Sequence, residues 1–267
     1  MFVTHLGPIK SGEYGLGNQL FQIAATIGIA KAHDRKWKFS YWNNNKYFKN
    51  ILPGFIRDGR DSCQEVYVKE KSFDYTPIVL PITHGVILDG YFQSWKYFDN
   101  AFEEVWRAFQ INDEIVADVK NVLTPLGITC SISVRRGDYV NLQHIHPLQP
   151  DDYWVRAQQV VEEKVKIDTY VVFSDDIQWC TQNKHLFNKT GKKVIFFSGR
   201  TQMDDFTAIT LCNCNIITNS TFSWWGAFLN RNANNVVIMP KLWFGPTGPW
   251  SGPTDANDLH YPNWYKI

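Results

Sequence analysis

The sequence lacks the cysteine patterns that stabilise small secreted domains or hold structural metal ions. Its five cysteines form no C-x-x-C pair, and the close pair Cys212 and Cys214 has no second cluster to complete a metal site. An odd number of cysteines without such a framework is typical of a reducing compartment. We therefore expect a cytoplasmic protein, or the catalytic domain of a longer one.

The sequence also lacks long apolar runs and a strong excess of charge. No stretch approaches the ~18 apolar residues of a membrane-spanning helix, and no basic segment followed by an apolar one opens the chain. The formal net charge is only +1 over 267 residues, whereas nonspecific nucleic-acid binding needs a strongly basic surface. These absences predict no stable membrane insertion and no nucleic-acid partner, and they leave the oligomeric state open.

Several catalytic motifs are absent as well. There is no G-x-S-x-G turn of a serine hydrolase and no glycine loop followed by a Walker lysine. There is also no D-x-D sequence, although enzymes that act on sugar nucleotides with a divalent ion usually need carboxylates at close spacing. We expect neither a metal ion nor a cofactor.

What the first half does contain is a strand, a glycine-rich turn and a helix, followed by less regular patterns. We predict strands at 2–9, 37–41 and 85–89, and helices after the glycine-rich turn at 12–19, at 100–109 and at 113–123. The first helix has apolar residues at helical spacing, namely Leu20, Ile23, Ala24 and Ile27. The pattern breaks at 124–127, which predicts a boundary between domains at 1–124 and 125–267.

The second half alternates strands and helices more cleanly. Strands are predicted at 129–134, 169–173, 194–197, 215–218 and 236–239. Helices are predicted at 151–164, around Trp179, at 203–212 and up to Leu229. Alternation of this kind predicts an α/β fold, with a parallel sheet that carries helices on both faces.

Polar side chains follow three of these strands where each strand ends. They are Arg135, Arg136 and Asp138, then Ser174, Asp175 and Asp176, and then Ser220, Thr221 and Ser223. Because the carboxyl ends of parallel strands meet at one edge of a sheet, we expect these side chains to converge on one ligand. Arginines beside a helix N-terminus suit a pyrophosphate, and a carboxylate suits the paired N–H donors of guanine.

Simpler interpretations of the same residues stay open at this point. The arginines could pair with surface carboxylates, and such pairs contribute little energy. Asp175 or Asp176 could cap the helix that follows, and Gly15 and Gly17 could simply form a tight turn.

Five segments, taken in order, resemble the alpha-1,2-fucosyltransferase family, glycosyltransferase family 11. They are GLGNQLFQ at 15–22, GYFQSWKYF at 90–98, VRRGDY at 134–139, FSDD at 173–176 and NSTFSWW at 219–225. The closing YPNWYKI at 261–267 is similar too. The resemblance covers almost the whole chain.

The resemblance implies an inverting, metal-independent enzyme of the GT-B type, with two Rossmann-like domains, parallel sheets and a cleft between them. Such an enzyme moves L-fucose from GDP-fucose to a hydroxyl, typically O2 of galactose in a glycan. The domain at 1–124 would then be the acceptor side and the domain at 125–267 the donor side. The last residues could pack back on the first domain.

The resemblance also implies roles for the matched residues. Arg135 would hold the diphosphate, with Arg136 and Asp138 bracing that loop or contacting the nucleotide. The other implied donor-binding residues are Asn18, Gln19, Asp175, Asp176, Ser220, Thr221, Phe222 and Ser223. Asp175 or Asp176 would read guanine, and Asn18 with Gln19 would contact the diphosphate or fucose. The acceptor pocket would be formed by 43–75 and by the aromatic segment at 91–98, with Tyr91, Gln93 and Trp95 as contacts.

One position departs from the family pattern H-x-R-R-x-D, because Ser133 stands where the family has histidine. Serine cannot act as a base near neutral pH. The general base is therefore expected at His144 or His146, just beyond the arginines, or at Asp138. Because of this departure, a catalytically inactive protein that binds a carbohydrate or a nucleotide stays an alternative. Two further alternatives are a transferase that uses another sugar nucleotide and a nucleotide hydrolase.

Overall fold

The computed structural model describes residues 1–5, 15–39, 42–50, 64–248 and 256–267. The chain divides into two compact units. The first comprises Met1–Asn112 and Ala256–Leu259, and the second comprises Asp113–Asp255 and His260–Ile267. A short stretch near the C-terminus therefore belongs to the first unit, whereas the last residues belong to the second.

The first unit is built on a four-stranded parallel sheet. Its strands are β1 (Phe2–His5), β2 (Lys36–Trp37), β3 (Glu65–Lys69) and β4 (Gly85–Asp89), in the order β2-β1-β4-β3. The predicted strand at 85–89 is confirmed, and the predicted strands at 2–9 and 37–41 are observed in part. Residues 6–9 and 40–41 lie outside the described residues, as do 12–14 of the glycine turn, Cys63 and 51–63 of the expected acceptor region.

Strand β3 was not predicted from the sequence. It lies at the edge of the sheet, and its residues Val66 and Tyr67 are exposed. A strand that buries little apolar surface lacks the buried run or the clean alternation from which strands are predicted.

Helix α1 (Leu16–Ala32) is the main helix of the first unit and is buried on most of its surface. The predicted helix is confirmed, and Leu20, Ile23, Ala24 and Ile27 are all within the core. Helix α2 (Phe102–Ala108) follows two short 3-10 turns, Trp95–Tyr97 and Asp99–Ala101. The side chain of Asn100 donates to the carbonyl of Gly28 at 3.1 Å, which ties these turns to α1.

The second unit is built on a six-stranded parallel sheet of the order β10-β9-β8-β5-β6-β7. The strands are β5 (Thr129–Val134), β6 (Thr169–Ser174), β7 (Lys193–Phe196), β8 (Cys214–Ile216), β9 (Val237–Met239) and β10 (Tyr265–Lys266). The helices are α3 (Asp113–Leu123), α4 (Asp151–Glu162), α5 (Ile177–Gln182), α6 (Gln202–Leu211) and α7 (Thr221–Phe228). The α/β prediction is confirmed, and β10 was not predicted.

The boundary between the units falls before α3, whereas the break at 124–127 in the sequence predicted it after this helix. Val119 and Leu123 of α3 pack in one apolar cluster with Val171 and Phe173 of β6 and with residues of α6. A second cluster covers the other face of the sheet with α4. Since parallel sheets need helices on both faces, α3 supplies part of the cover that the second unit requires.

Two further properties concern the described residues alone. No helix among them combines the length and the apolar character needed to cross a bilayer. Four of the cysteines, Cys130, Cys180, Cys212 and Cys214, are buried free thiols.

We predict that Gly28→Ala destabilises the protein. A Cβ at this position would overlap the backbone of Tyr97 and Phe98, which cannot yield as a flexible side chain can. Alanine forms helices better than glycine, so propensity alone predicts a gain. We expect instead that the free energy of unfolding, measured with urea, falls by about 1–3 kcal/mol.

The matched control for this substitution is Gly15→Ala. Gly15 has extended φ and ψ angles that alanine also adopts, and a Cβ there meets nothing within 4 Å. An equal or greater stability of Gly28→Ala relative to the parent protein would contradict the described packing of α1.

Candidate active site

The side chain of Arg135 lies directly after β5, the strand buried at every position near the middle of the second sheet. Its Nη1 is 2.9 Å from Oδ2 of Asp175, and its Nη2 is 2.5 Å from Oδ1 of Asp138. The guanidinium also lies over the ring of Tyr139, at 5.1 Å. Since 37% of the Arg135 side chain is exposed, this strand end presents a fixed cation to solvent.

Asp175 connects the ends of the neighbouring strands β5 and β6. One of its oxygens accepts the backbone N–H of Arg136 at 2.9 Å, and the other pairs with Arg135. A Cβ on Gly137 would overlap this carboxylate, so glycine lets the arginine loop approach it closely. Both oxygens of Asp175 are therefore engaged in holding the two arginines in place.

Arg136 and Asp176 form a second pair beside the first. Nε of Arg136 is 3.2 Å from Oδ2 of Asp176, and the guanidinium lies 4.0 Å from the centre of the Trp179 ring. The other oxygen of Asp176 accepts the N–H of Trp179 at 3.1 Å and caps α5. The capping interpretation of Asp176 is therefore realised together with its contact to Arg136.

A hydrogen bond between Tyr139 and Asn219 joins the arginine loop to the third predicted cluster, which begins at Ser220. The hydroxyl of Tyr139 donates to the carbonyl of Asn219 at 3.1 Å. The buried amide of Asn219 donates to the carbonyls of Pro147 and Trp243, at 2.9 and 3.1 Å. Burial raises the pKa of Tyr139 to about 12, so its hydroxyl keeps its proton at neutral pH. The three strand ends thus form one connected surface.

The residues of the third cluster have different environments. Ser220 precedes α7, and its side chain makes no capping hydrogen bond to the first turn of this helix. Ser223 is buried, and its hydroxyl donates to the carbonyl of Ser220 at 3.0 Å. Thr221 and Phe222 are half-buried, and Phe222 packs edge-on against Phe206. The Ser223 hydroxyl is therefore engaged within the protein.

Carboxylates outnumber the arginines at this edge of the sheet. Arg135 and Arg136 face three carboxylates, those of Asp138, Asp175 and Asp176. Asp138 is the most exposed of the five side chains, at 54%. Asp138 is therefore the carboxylate partner of Arg135 that solvent reaches most easily.

The residues expected to supply a base have unequal surroundings. The ring of His146 stacks on Tyr139 at 4.6 Å, burial lowers its pKa, and its Nδ1 is buried with no hydrogen-bond partner among the described residues. His144 is exposed, and its carbonyl accepts from Thr247. Ser133 is only 5% exposed, and the described residues offer its hydroxyl no partner.

The first unit carries its own cluster of predicted residues. Nε2 of Gln93 donates to Oδ1 of Asn18 at 2.9 Å. Oε1 of the buried Gln19 accepts from Nε1 of Trp42 at 2.7 Å and from Asn44 at 2.9 Å. The segments GLGNQLFQ and GYFQSWKYF are thus joined by hydrogen bonds inside the first unit.

Tyr91 and Trp95 flank Gln93 in the same segment. Tyr91 is exposed and Trp95 is half-buried, whereas Gln93 is buried. The two aromatic side chains are therefore better placed than Gln93 to contact a ligand directly.

Four residues that hold these clusters together were not predicted from the sequence: Tyr139, Trp179 and Asn219, and also Glu70, whose carboxylate accepts the backbone N–H groups of Tyr91 and Phe92. Tyr139 and Asn219 lie inside the motifs that were recognised, so their position was a usable indication. Glu70 directly follows β3, which was not predicted, so no pattern in the sequence indicated its role. In the described part of the chain, no three His, Cys, Asp or Glu side chains are grouped so that they could hold a metal ion.

Comparison with known proteins decides the family. The model of glycosyl transferase family 11 matches residues 74–265. This chain belongs to glycosyl transferase family 11. The resemblance predicted from the sequence is thereby confirmed.

Named relatives of this family 11 chain come from bacteria and mammals. The chain is 34% identical to an alpha-1,2-colitosyltransferase of Escherichia coli, over 86% of this chain and 90% of that protein. It is 31% identical to the O-antigen biosynthesis glycosyltransferase WbnK of Escherichia coli, over 62% of this chain and 57% of the relative. It is 26% identical to human galactoside alpha-(1,2)-fucosyltransferase 1, over 80% and 62%. The chain thus spans less than two thirds of the length of two of these relatives.

Solved structures agree with the fold of the family 11 chain. Fucosyltransferase NodZ from Bradyrhizobium matches with a TM-score of 0.56 at 13% identity, over 85% of this chain and 92% of that one. POFUT1 in complex with GDP matches with a TM-score of 0.57 at 8% identity, over 89% and 97%. These likenesses confirm the predicted GT-B type α/β fold with parallel sheets.

We predict that Asn219→Asp destabilises the second unit. The substitution removes the two donors that bind the carbonyls of Pro147 and Trp243, and it places a buried carboxylate against them. We expect the free energy of unfolding to fall by about 2–4 kcal/mol in urea denaturation.

The control is Asn188→Asp, the same change at an exposed asparagine of the same unit. Equal stability of the two variants would show that Asn219 does not hold the strand-end loops together.

Proposed function

We propose that this chain is an inverting glycosyltransferase that moves L-fucose from GDP-fucose to a hydroxyl of a glycan, O2 of a galactoside. Family 11 membership and relatives named as alpha-1,2-specific transferases of fucose and colitose support this proposal. Structural likeness to a complex described as NodZ alpha-1,6-fucosyltransferase soaked with GDP-fucose is consistent with the donor.

The observation that carries the proposal is the guanidinium of Arg135, fixed by Asp175 at a strand end yet partly open to solvent. A guanidinium presents several N–H donors in a plane and suits the oxygens of a diphosphate. The N-terminus of α7, which Ser220 leaves uncapped by its side chain, adds backbone donors and the positive end of a helix dipole. Together these groups would stabilise the negative charge that develops on the leaving GDP.

The proposed reaction is a single displacement. The acceptor oxygen forms a bond to the anomeric carbon of fucose while the bond from that carbon to the β-phosphate oxygen breaks. GDP leaves with the electron pair, and the acceptor proton passes to a base. Asp138 is the candidate base that its surroundings favour, because its carboxylate is exposed and is released when a diphosphate replaces it on Arg135.

His144 is the second candidate for the base, because it is exposed. His146 is less suited than either, since its ring is stacked on Tyr139 and its Nδ1 is buried. We further propose that Asp175 and Asp176 act mainly by positioning the arginines. Their oxygens already accept hydrogen bonds from Arg136 and Trp179, which leaves less capacity for guanine.

We also propose that transfer needs no metal ion and that the protein acts in the cytoplasm. Arginines and a helix N-terminus can supply the positive charge that a divalent ion supplies in other enzymes. Four buried free thiols are consistent with a reducing compartment. Retention of full transfer activity in excess EDTA is the expected result for the first of these proposals.

A second donor is supported by one comparison. An alpha-1,2-colitosyltransferase is 34% identical over 86% of the chain, more than the human fucosyltransferase at 26%. Colitose is fucose without the hydroxyl on carbon 3, so a diphosphate site alone does not distinguish the two donors. GDP-colitose is therefore the alternative to GDP-fucose.

We predict that Arg135→Ala removes nearly all transfer, with kcat lowered by roughly a hundredfold or more. The cause is loss of the group that stabilises the leaving diphosphate. GDP binding, measured by isothermal titration calorimetry, should weaken as well, while the circular dichroism spectrum stays unchanged.

The control is Arg156→Ala, which removes an exposed arginine paired with Asp152 in the same unit. Turnover of Arg135→Ala close to that of the control would overturn the assignment of the diphosphate site.

A donor panel tests the sugar and the reaction type together. GDP-fucose, GDP-colitose, GDP-mannose and UDP-galactose are offered with lactose and N-acetyllactosamine, and product linkage is determined by NMR. We expect an α-1,2-linked product from GDP-fucose, with kcat/KM above that for GDP-colitose. A preference for UDP would contradict the guanine nucleotide, and GDP release that acceptors do not stimulate would indicate a hydrolase.

A further inference from the structure

The segment from Gly90 to Trp95 is held in an unusual backbone conformation. Phe92 has a φ of +51°, in the left-handed region that bulky residues rarely adopt. The side chain of Phe92 is fully buried between His5 and Tyr97. Conformations of this kind persist only where the surrounding contacts impose them.

One carboxylate supplies the most direct of these contacts. Glu70 follows β3, and its Oε2 accepts the backbone N–H of Tyr91 at 2.7 Å. Its Oε1 accepts the backbone N–H of Phe92 at 2.9 Å. A Cβ on Gly90 would overlap the Glu70 side chain, so glycine is needed for this approach. The two oxygens of one carboxylate thus hold two consecutive amides.

The opposite side of the same segment is fixed by α1. Nε2 of Gln22 donates to the carbonyl of Gly90 at 3.1 Å, and Nε2 of Gln93 donates to Asn18. Glu70 and α1 therefore hold the segment from two sides, with Tyr91 exposed and Trp95 half-buried.

We propose that Glu70 is a positioning residue for the acceptor sugar, and that its ionised carboxylate fixes the Gly90–Trp95 segment in the conformation that binds that sugar. The inference rests on the proposed function, in which Tyr91 and Trp95 contact the acceptor. Amphipathic aromatic rings of this kind suit the apolar face of a sugar ring.

The charge state of Glu70 changes near neutral pH. Burial raises the pKa of its carboxyl to about 7, although the hydrogen bonds from Phe92 and Tyr91 oppose that shift. An ionised carboxylate accepts both amides without competition, whereas in a protonated carboxyl one oxygen carries a hydrogen and becomes the weaker acceptor. The hydrogen bonds that Glu70 accepts from the Gly90–Trp95 segment should therefore weaken as the pH falls through the Glu70 pKa of about 7.

Two neighbouring titratable groups do not share this transition. Burial lowers the pKa of His5 to about 3 and raises that of Tyr97 to about 12, so both stay neutral between pH 5 and 9. Two ion pairs among the described residues lie near this segment. They are Lys69 with Asp89 at the strand ends, and Lys96 with Asp258 beside Tyr75 and Tyr97.

The position of Glu70 favours a positioning role over a direct role in proton transfer. The residue is only 7% exposed, and each carboxylate oxygen already accepts a backbone amide. A base that takes the acceptor proton must lie within hydrogen-bond reach of the acceptor hydroxyl. The contacts of Glu70 are instead with the backbone that carries Tyr91.

The test compares Glu70→Gln with the parent protein, and uses Glu65→Gln at the other end of β3 as the matched control. Glutamine offers one acceptor where the carboxylate offers two, so one amide is left without its bond. At pH 8 we expect the acceptor KM of Glu70→Gln to rise roughly tenfold. The KM for GDP-fucose and the affinity for GDP should change less than about twofold.

The pH profile adds a result that a purely structural role would not give. In the parent protein, kcat/KM for the acceptor should fall as the pH drops below about 7, and in Glu70→Gln this dependence should be absent. Stability should change in the opposite direction. Because the folded-state pKa is raised, the parent should become more stable relative to Glu70→Gln as the pH falls from about 7 towards 5.

A readout that needs no activity separates this inference from the proposed function. Hydrogen exchange of the peptide at 90–95, corrected for intrinsic rates, should be faster in Glu70→Gln than in the parent and in Glu65→Gln. If the parent protein transfers no fucose, the proposed function fails, yet this exchange experiment still decides whether Glu70 holds the segment.

Two outcomes would overturn the inference. A large fall in kcat with unchanged acceptor KM and unchanged exchange would make Glu70 a group acting on the substrate itself. Unchanged KM, pH profile and exchange would remove it from the acceptor site altogether. If Glu70→Gln does not fold, Gly90→Ala, whose Cβ would displace the carboxylate, is measured in the same way.

Discussion

The carboxylate of Asp175 is the contact on which the candidate site of the second unit depends. It binds the side chain of Arg135 and the backbone of Arg136, and so joins the ends of the two adjacent strands β5 and β6. An arginine free at a strand end would lose much side-chain entropy on meeting a diphosphate. Here that cost is met during folding, which leaves the guanidinium positioned before a ligand arrives.

The same arrangement creates a competition for Arg135. Asp138, the more exposed of the two carboxylate partners of Arg135, binds the guanidinium, and we propose that a donor diphosphate takes its place. In our account the ion pair between Arg135 and Asp175 persists when the donor binds, whereas the ion pair between Arg135 and Asp138 is replaced. The exchange also frees a carboxylate, which offers a base in a chain where Ser133 replaces the histidine of the family pattern. The first unit contains a similar arrangement, because the buried carboxylate of Glu70 accepts backbone N–H groups as the carboxylate of Asp175 does.

Much of the fold could be predicted because its strands and helices are regular. The strand Thr129–Val134 and the helix Asp113–Leu123 agree with the sequence to the residue. Strand β3 could not be predicted, since an exposed edge strand lacks a strong apolar pattern. The second compact unit begins at Asp113, before α3, rather than at the predicted 125, because the apolar spacing of an amphipathic helix is the same whichever unit it packs against.

The candidate site was predictable in its location but not in its internal contacts. Parallel topology places the three polar strand ends together, so their convergence followed from the fold. The pattern could not show that the Asp176 oxygens would be used by Trp179 and Arg136. The role of Glu70 could not be predicted from the sequence. It depends on a backbone turn about 20 residues further along the chain, and that turn has no sequence pattern of its own.

The most direct test of this account is a crystal structure of the protein with GDP bound. We predict that oxygens of the diphosphate accept hydrogen bonds from Arg135 and from the first N–H groups of α7. We also predict that Asp175 keeps its contact with Arg135 and that Asp138 loses it. A diphosphate bound elsewhere, with Arg135 still paired to Asp138, would contradict the account.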